Sequence, residues 1–383
     1  MSAIAAAEIP LSLYLHFPWC VAKCPYCDFN SHALRGELPE DAYCEALLRD
    51  LDFELQDAET RPLRSIFMGG GTPSLFSDRA LDRLLRALQT RLSFAADIEI
   101  TLEANPGTAD AGHFVGYRAA GINRLSMGVQ SLDDAQLKRL GRIHDRAAVF
   151  QAYEQARQAG FDNINLDLMY ALPEQSLDAA RSDLQELIAL APEHLSYYQL
   201  TLEPNTEFAR QPPPLPDNDA AWTMQEQGEA LLAAAGYAQY EVSAYAQPGR
   251  QARHNLNYWT FGDYLGIGAG AHGKRSGPDV VRRRARHKLP RTYLAHAGSA
   301  QAIQDERVIP APDLPLEFLM NALRLNEGFD QRDYRERTGL TWGAHPGTAL
   351  ALSRGLLTDV AGRIRTTDTG RRHLNGVLQL FLE

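Results

Sequence analysis

The chain has 383 residues, 45% of them hydrophobic, and a formal net charge of −10. That length suits a large core domain with a smaller one beside it, and the acidic balance argues against a general nucleic-acid binder. No run of 18 apolar residues is present to span a membrane, Met1 to Pro10 carries no basic n-region of a signal peptide, and four cysteines in so long a chain make no disulfide scaffold, so a reducing cytoplasm is the expected compartment.

Apolar strand-like runs alternate with amphipathic helical stretches. Strands are expected over Ser12–Phe17, Ser65–Gly69, Ile98–Ala104, Arg124–Gln130, Asn163–Tyr170 and His194–Thr201. Helices are expected between and after them: Glu40–Ala58, Asp78–Leu92, Asp110–Ala120, Asp133–Leu140, Arg146–Ala159 and Leu177–Leu190. Ser77-Asp78 and Asp133-Asp134 read as helix starts, and Gly121 and Gly160 stand where a C′ glycine belongs. Six βα units in succession, with right-handed crossovers, build a parallel sheet. The expected fold class is α/β, a partial (β/α)6 barrel rather than an open doubly wound sheet.

Gln211-Pro212-Pro213-Pro214-Leu215-Pro216 ends the repeating region. A helix over Asn218–Ala235 and a strand over Tyr240–Tyr245 follow. Arg282, Arg283, Arg284, Arg286, Lys288 and Arg291 form a basic run. It reads as a solvated loop or helix face, with a site for anionic lipid, a partner or carboxylates as the alternative. Beyond Ala311-Pro312-Asp313 the expectation is a small helical, winged-helix-like domain. It has a helix over Leu316–Arg324 and a hairpin turning at Ala361-Gly362. This divides the chain into a core barrel (1–235), a barrel extension (236–310) and a C-terminal domain (311–383).

The most informative feature is Cys20, Cys24 and Cys27, spaced C-x3-C-x2-C behind the first strand. The spacing offers three thiolates. A closed zinc site and an ordinary ferredoxin cluster each want four ligands, and no further Cys or Cys-His pair follows at zinc spacing. Three thiolates round a 4Fe–4S cube leave one iron open for a small molecule. Cys44 sits mid-helix beside Tyr43 and Leu47 and reads as a buried thiol.

Together with Gly69-Gly70-Gly71-Thr72-Pro73 after the second strand, the cysteine motif resembles the radical S-adenosylmethionine (SAM) enzymes. Leu102-Glu103-Ala104-Asn105-Pro106, Leu125–Gln130, Leu140-Gly141-Arg142-x-His144 and Asn165–Tyr170 resemble oxygen-independent coproporphyrinogen III oxidase and its relatives. The match covers roughly residues 11–275. It implies a 4Fe–4S cluster on Cys20, Cys24 and Cys27 whose open iron holds the amino and carboxylate groups of SAM, with reductive cleavage to a 5′-deoxyadenosyl radical.

These motifs stand at the C-terminal ends of expected strands, the face where a parallel barrel assembles its site. Gly70, Gly71 and Thr72 would cradle the methionyl group. Glu103 and Asp167 would be satisfied by a ribose diol or an ammonium, with a core salt bridge as the alternative. Arg142 can fork onto the SAM carboxylate, and Gln130 can bond a ribose hydroxyl or carboxylate. Tyr14 and Tyr26 would pack against adduct and cluster, a reading that rests on the resemblance.

His254-Asn255-Leu256-Asn257-Tyr258-Trp259 resembles the signature of the haem chaperones, HemW type, of this subfamily. His254 is then the candidate axial haem ligand, and Tyr258 and Trp259 aromatic walls of one pocket. A satisfied structural histidine is the competing reading. Gly266–Gly273 follows as a ligand approach or a bulged strand and turn. Asp28-Phe29-Asn30 stands where the oxidase subfamily carries another cysteine, and only 19 residues precede Cys20; both features fit the chaperone branch.

The resemblance thus implies a haem-binding protein that delivers its cargo to haem-requiring acceptors such as membrane respiratory enzymes. Peripheral membrane contact and no nucleic-acid partner are expected. Oxidative decarboxylation of coproporphyrinogen III is the alternative, and radical SAM chemistry on another substrate, RNA included, the second.

Overall fold

The computed structural model describes residues 3–57, 59–108 and 111–382. Leu11–Phe17 (β1) shows how the sequence selects its layers. Leu11, Leu13, Leu15 and Phe17 are wholly buried in the main core, while Ser12, Tyr14 and His16 alternate with them onto the other face, as a period of two requires. Two short strands, Trp19–Cys20 (β2) and His32–Ala33 (β3), follow, then helix Glu40–Glu54 (α1).

The repeat continues through Leu63–Gly70 (β4), Asp78–Gln89 (α2), Phe94–Ala104 (β5), Ala111–Ala119 (α3) and Arg124–Gln130 (β6). After it come Asp134–Arg139 (α4), Arg146–Gln158 (α5), Ile164–Tyr170 (β7), Leu177–Ala189 (α6) and His194–Gln199 (β8). β1, β4, β5, β6, β7 and β8 lie side by side in chain order, all parallel. This is the expected six-unit partial barrel. The helices end earlier than expected by one to four residues; Ala58 and Asp110, expected helix ends, lie outside the described residues. Ser77 Oγ caps α2 by accepting the Ala80 N–H at 3.2 Å, and Asp133 Oδ1 accepts the Ala135 N–H at 2.7 Å. Gly121 and Gly160 take φ of 102° and 89° past their helices.

The short helix Glu207–Arg210 (α7) and Asn218–Ala234 (α8) lead to two further edges. The strand expected over Tyr240–Tyr245 is instead two, Ala238–Glu241 (β9) and Ala244–Ala246 (β10), paired antiparallel. The chain turns at Val242-Ser243, where Glu241 Oε1 accepts the Ser243 N–H at 3.1 Å. β10 extends the sheet from β8. After Arg253–Trp259 (α9), Asp263–Ile267 (β11) joins the opposite edge beside β1 in parallel. His272–Gly277 (β12), Val280–Arg286 (β13) and Ile303–Ile309 (β14) add antiparallel strands, with Pro290–His296 (α10) between the last two. Residues 236–310 therefore flank both sides of the barrel.

The basic run is corrected by the structure: its first four arginines lie on β13, not on a free loop or helix. Carboxylates meet them: Arg283 with Glu317 at 2.7 Å, Arg284 with Glu54 at 2.8 Å, and Arg286 with Asp50 at 2.8 Å.

Leu314–Ala322 (α11), Phe329–Asp330 (β15), Gln331–Thr338 (α12), Pro346–Ser353 (α13), Leu357–Val360 (β16), Arg363–Thr366 (β17) and two short helices complete the chain. β15, β17 and β16 form a separate three-stranded sheet. The hairpin turns at Ala361 and Gly362, both at positive φ (53° and 84°), as a two-residue hairpin loop demands. Phe318, Phe329, Tyr334, Ile364 and Phe381 share one core with Ile9, Phe261 and Val281 of the body.

Candidate functional site

The cysteine loop hangs from β2 and β3. These pair in parallel, Trp19 opposite His32 and Cys20 opposite Ala33, so the loop starts and ends at one place. The Cys27 N–H donates to the Cys24 carbonyl at 3.2 Å, setting both on one turn. Each thiol has a different polar neighbour. The Thr72 hydroxyl donates to Cys20 Sγ at 3.4 Å, Ser31 Oγ lies 3.7 Å from Cys27 Sγ, and Arg142 Nη1 lies 3.9 Å from Cys24 Sγ. Burial pushes the Cys20 and Cys27 thiols up from their ordinary range. All three open on one cavity of about 370 Å³, which runs into the barrel. Cys44 lies apart, buried on α1, where burial pushes its thiol up to about 12.

The cavity wall is built from strand ends. Glu103, on β5, accepts the Gly70 N–H at 3.0 Å. Burial, with the Asp167 charge adding to it, raises its carboxyl to about 8. Asp167, on β7, is also raised by burial and accepts from Asn165 Nδ2 at 2.8 Å. Gln130 ends β6 at a positive φ of 73° and accepts from the Tyr198 hydroxyl at 2.8 Å. The Arg142 guanidinium donates to the Gly128 carbonyl at 2.7 Å and to Asn105 Oδ1, while its Nε has no hydrogen-bond partner.

The glycines after β4 answer first to the chain's own crowding. Gly70 has φ of 111°, and a Cβ there would enter the His16 ring; a Cβ on Gly71 would stand 2.8 Å from the Phe17 carbonyl. Cys20, Cys24, Cys27, Tyr26, Gly70, Gly71, Thr72, Glu103, Gln130, Arg142, Asp167 and His254 all line this cavity. Tyr14 stands behind it, stacked on Phe67 at 5.7 Å with its hydroxyl 2.8 Å from His16 Nδ1.

The family model of the radical SAM superfamily matches residues 14–187, and that of the HemN C-terminal domain residues 309–373. "Heme chaperone HemW" of Escherichia coli K12 is 51% identical over 97% of this chain and 98% of its own length. The chain belongs to the HemW family of haem chaperones. The Haemophilus influenzae HemW is 48% identical over the same shares of both chains. Among solved structures, E. coli coproporphyrinogen III oxidase, HemN, superposes with a TM-score of 0.82 at 25% identity, covering 98% of this chain and 90% of that one.

Membership of the radical SAM superfamily implies a 4Fe–4S cluster and SAM. The residues present fit them. Among the described residues, no three His, Cys, Asp or Glu groups gather round one point as a single metal ion requires. A cube binds its thiolates through separate irons, and the three thiols of this one loop all face the same cavity. Arg142 Nε, buried beside the cavity without a hydrogen-bond partner, suits a polar ligand such as SAM.

Tyr258 and Trp259 do not wall one pocket with His254, which corrects the expectation. It lies on α9, where residues four apart share a face and residues five apart do not. His254 and Tyr258 therefore meet, ring centroids 6.4 Å apart, while Trp259 turns to the other side beneath the Arg324 guanidinium, 4.4 Å from its ring centroid. The His254 ring stacks on Phe67 at 4.3 Å, with Nδ1 2.9 Å from Glu99 Oε1. Burial lowers the His254 pKa, so the ring is neutral and Nδ1–H donates. Burial opposes the charge on Glu99, but hydrogen bonds from His254 and the Arg253 N–H, with the nearby Arg124 charge, hold its carboxyl well below the usual range.

Sequence reasoning gave no role to Arg124, Ser126, Asn165, His194, Ser196 or Tyr198, which also line the cavity. A signal was present. Glu99-x-Thr101-x-Glu103, Arg124-x-Ser126-x-Gly128-x-Gln130, Asn165-x-Asp167 and His194-x-Ser196-x-Tyr198 put polar groups at alternate positions of otherwise apolar strands. Strand register sets them side by side: Glu103 by Ser126, Ser126 by Asn165, Asn165 by His194 and Asp167 by Ser196. The barrel interior is thus a polar well, where many parallel barrels pack branched aliphatic side chains.

Proposed function

We propose that this chain binds haem and passes it to acceptor proteins, on a barrel that holds a 4Fe–4S cluster through Cys20, Cys24 and Cys27. The observation that carries the reading is full-length identity of 51% and 48% to relatives named haem chaperones, against 25% to the oxidase of the same fold. The cluster, when bound, supplies an open iron for the amino and carboxylate groups of SAM. Arg142 orients that carboxylate at the mouth, Glu103 and Asp167 accept from ribose or ammonium groups, and Gln130 and Thr72 complete the polar shell.

Within this reading His254 is the axial haem donor, a neutral imidazole with Nδ1 already committed to Glu99. Tyr258 packs behind it, and Trp259 takes no part. The acceptors are haem-requiring proteins met in the cytoplasm or at a membrane surface; among the described residues no helix is long and apolar enough to cross a bilayer. The test is titration of the anaerobically reconstituted protein with haem, read by absorption, alongside an assay for decarboxylated coproporphyrinogen III. Saturable haem uptake without decarboxylation supports the chaperone. Decarboxylation at enzymatic turnover overturns it.

A further inference from the structure

Arg124 opens β6 at the inner end of the well, six residues before Gln130, a span of about 20 Å along the strand. Only 2% of its surface is exposed, yet it lines the cavity. Its Nε has no hydrogen-bond partner, and no carboxylate among the described residues forms an ion pair with it.

The acceptors nearest in the well are already engaged. Glu99 takes Nδ1–H of His254 at 2.9 Å and the N–H groups of Arg253 and His254 at 3.0 and 3.2 Å. Asn165 Oδ1 lies 2.6 Å from His194 Nδ1 and accepts from Ser196 Oγ at 3.1 Å. His194 Nε2 lies 2.9 Å from the Tyr240 hydroxyl.

An arginine cannot shed its proton to relieve burial; the charges of Glu99 and Asp167 reach Arg124 from a distance, but neither carboxylate hydrogen-bonds its guanidinium, so the buried fork is left unfilled. Its planar fork matches a carboxylate in bidentate fashion. The Glu99 charge close by disfavours a dianion and suits a single negative charge.

We propose that Arg124 is a ligand-binding residue that holds a carboxylate group of a small molecule seated deep in the barrel well. The carboxylate has two candidate sources, the methionyl end of SAM or a propionate of haem. The position favours the propionate, because Arg142 and the three thiols stand at the opposite end. That assignment of source rests on the proposed haem function; the carboxylate site itself does not.

The experiment uses the full chain with its cluster reconstituted, as wild type, Arg124→Gln and Arg124→Lys. Each is titrated with SAM, with haem, and with haem dimethyl ester, whose propionates are blocked. Cluster content and melting temperature report folding. Losing a charge-assisted bond predicts that Arg124→Gln weakens one carboxylate ligand about tenfold or more. Arg124→Lys weakens it less, and the ester is insensitive to both changes. In wild type the ester itself binds about tenfold more weakly than haem, a comparison that needs no variant to fold. A loss confined to SAM assigns the site to the methionyl carboxylate. Wild-type protein that takes up no haem, with SAM affinity lost in Arg124→Gln, sinks the haem reading and keeps the carboxylate site. Equal affinity for haem and its ester, with SAM affinity unchanged in either folded variant, overturns the proposal.

Discussion

Glu103 offers a quantitative test of the well. Its carboxyl has an ordinary pKa of 4.5 and is raised by burial to about 8 in the folded chain. Between those values the folded state holds a proton that the unfolded state has released. Stability therefore falls as pH rises from about 4.5 to about 8, and is flat with respect to this group above that window. At 1.36 kcal/mol per pH unit the full gap is worth about 5 kcal/mol. Water in the open cavity screens part of it, leaving about 1–3 kcal/mol. Glu103→Gln keeps an oxygen for the Gly70 N–H and removes the titration. Urea unfolding at pH 4 and pH 9, which brackets the whole window, should show wild type losing about 1–3 kcal/mol more than the variant across that interval. SAM affinity should also climb with pH towards about 8 in wild type only, since an ionised carboxylate is the better acceptor for a ribose diol. Parallel pH profiles for the two proteins would refute the argument that burial governs this carboxyl.

Changing Cys20, Cys24 or Cys27 singly to Ala should abolish the broad visible absorption after anaerobic reconstitution; a full cluster in all three variants would sink the assignment. Arg142→Ala should weaken SAM binding by about 1.5–3 kcal/mol, measured in protein with intact cluster, and unchanged affinity would count against its role. His254→Ala removes one of three donors to the buried Glu99 charge, so unfolding free energy should drop by about 1.5–3 kcal/mol, and the haem spectrum should shift while cluster content holds. His272→Ala and His287→Ala are the controls; a shifted spectrum in either, with His254→Ala unaltered, would move the haem ligand.

The strands were legible because the apolar half of each alternates strictly: Leu125, Met127 and Val129 go to the core beneath the helices. The same pattern hid the site's inner half. Glu103 and Gln130 stand out near strand ends, Asp167 stands out as a carboxylate in the middle of apolar β7, and Arg142 follows a conspicuous glycine in the loop after α4. Arg124, Asn165 and His194 sit earlier on the same strands, and each alone reads as an ordinary polar residue. Only pairing shows them to share one interior, with Asn165 between Ser126 and His194 and Arg124 two residues before Ser126, because register between β6, β7 and β8 is a tertiary fact. The aromatic motif failed for the opposite reason. Its residues were read as neighbours in sequence, but helical phase separates Trp259 from His254, and phase was computable from the sequence once Arg253–Trp259 was known to be helical.

Those two cases point to the same physical conclusion about the molecule. The mouth of the well carries thiols and one arginine, and its floor carries a second arginine with an ionised glutamate and neutral histidines. A barrel stabilised only by packing would fill that interior with aliphatic side chains and lose nothing. Keeping Arg124, Glu99 and His254 there costs desolvation that their mutual contacts do not fully return, because Arg124 stays unbonded within the protein. The interior is therefore better explained by what enters it than by what holds it up, and a ligand carrying negative charge to both ends of the well would meet a matching group at each.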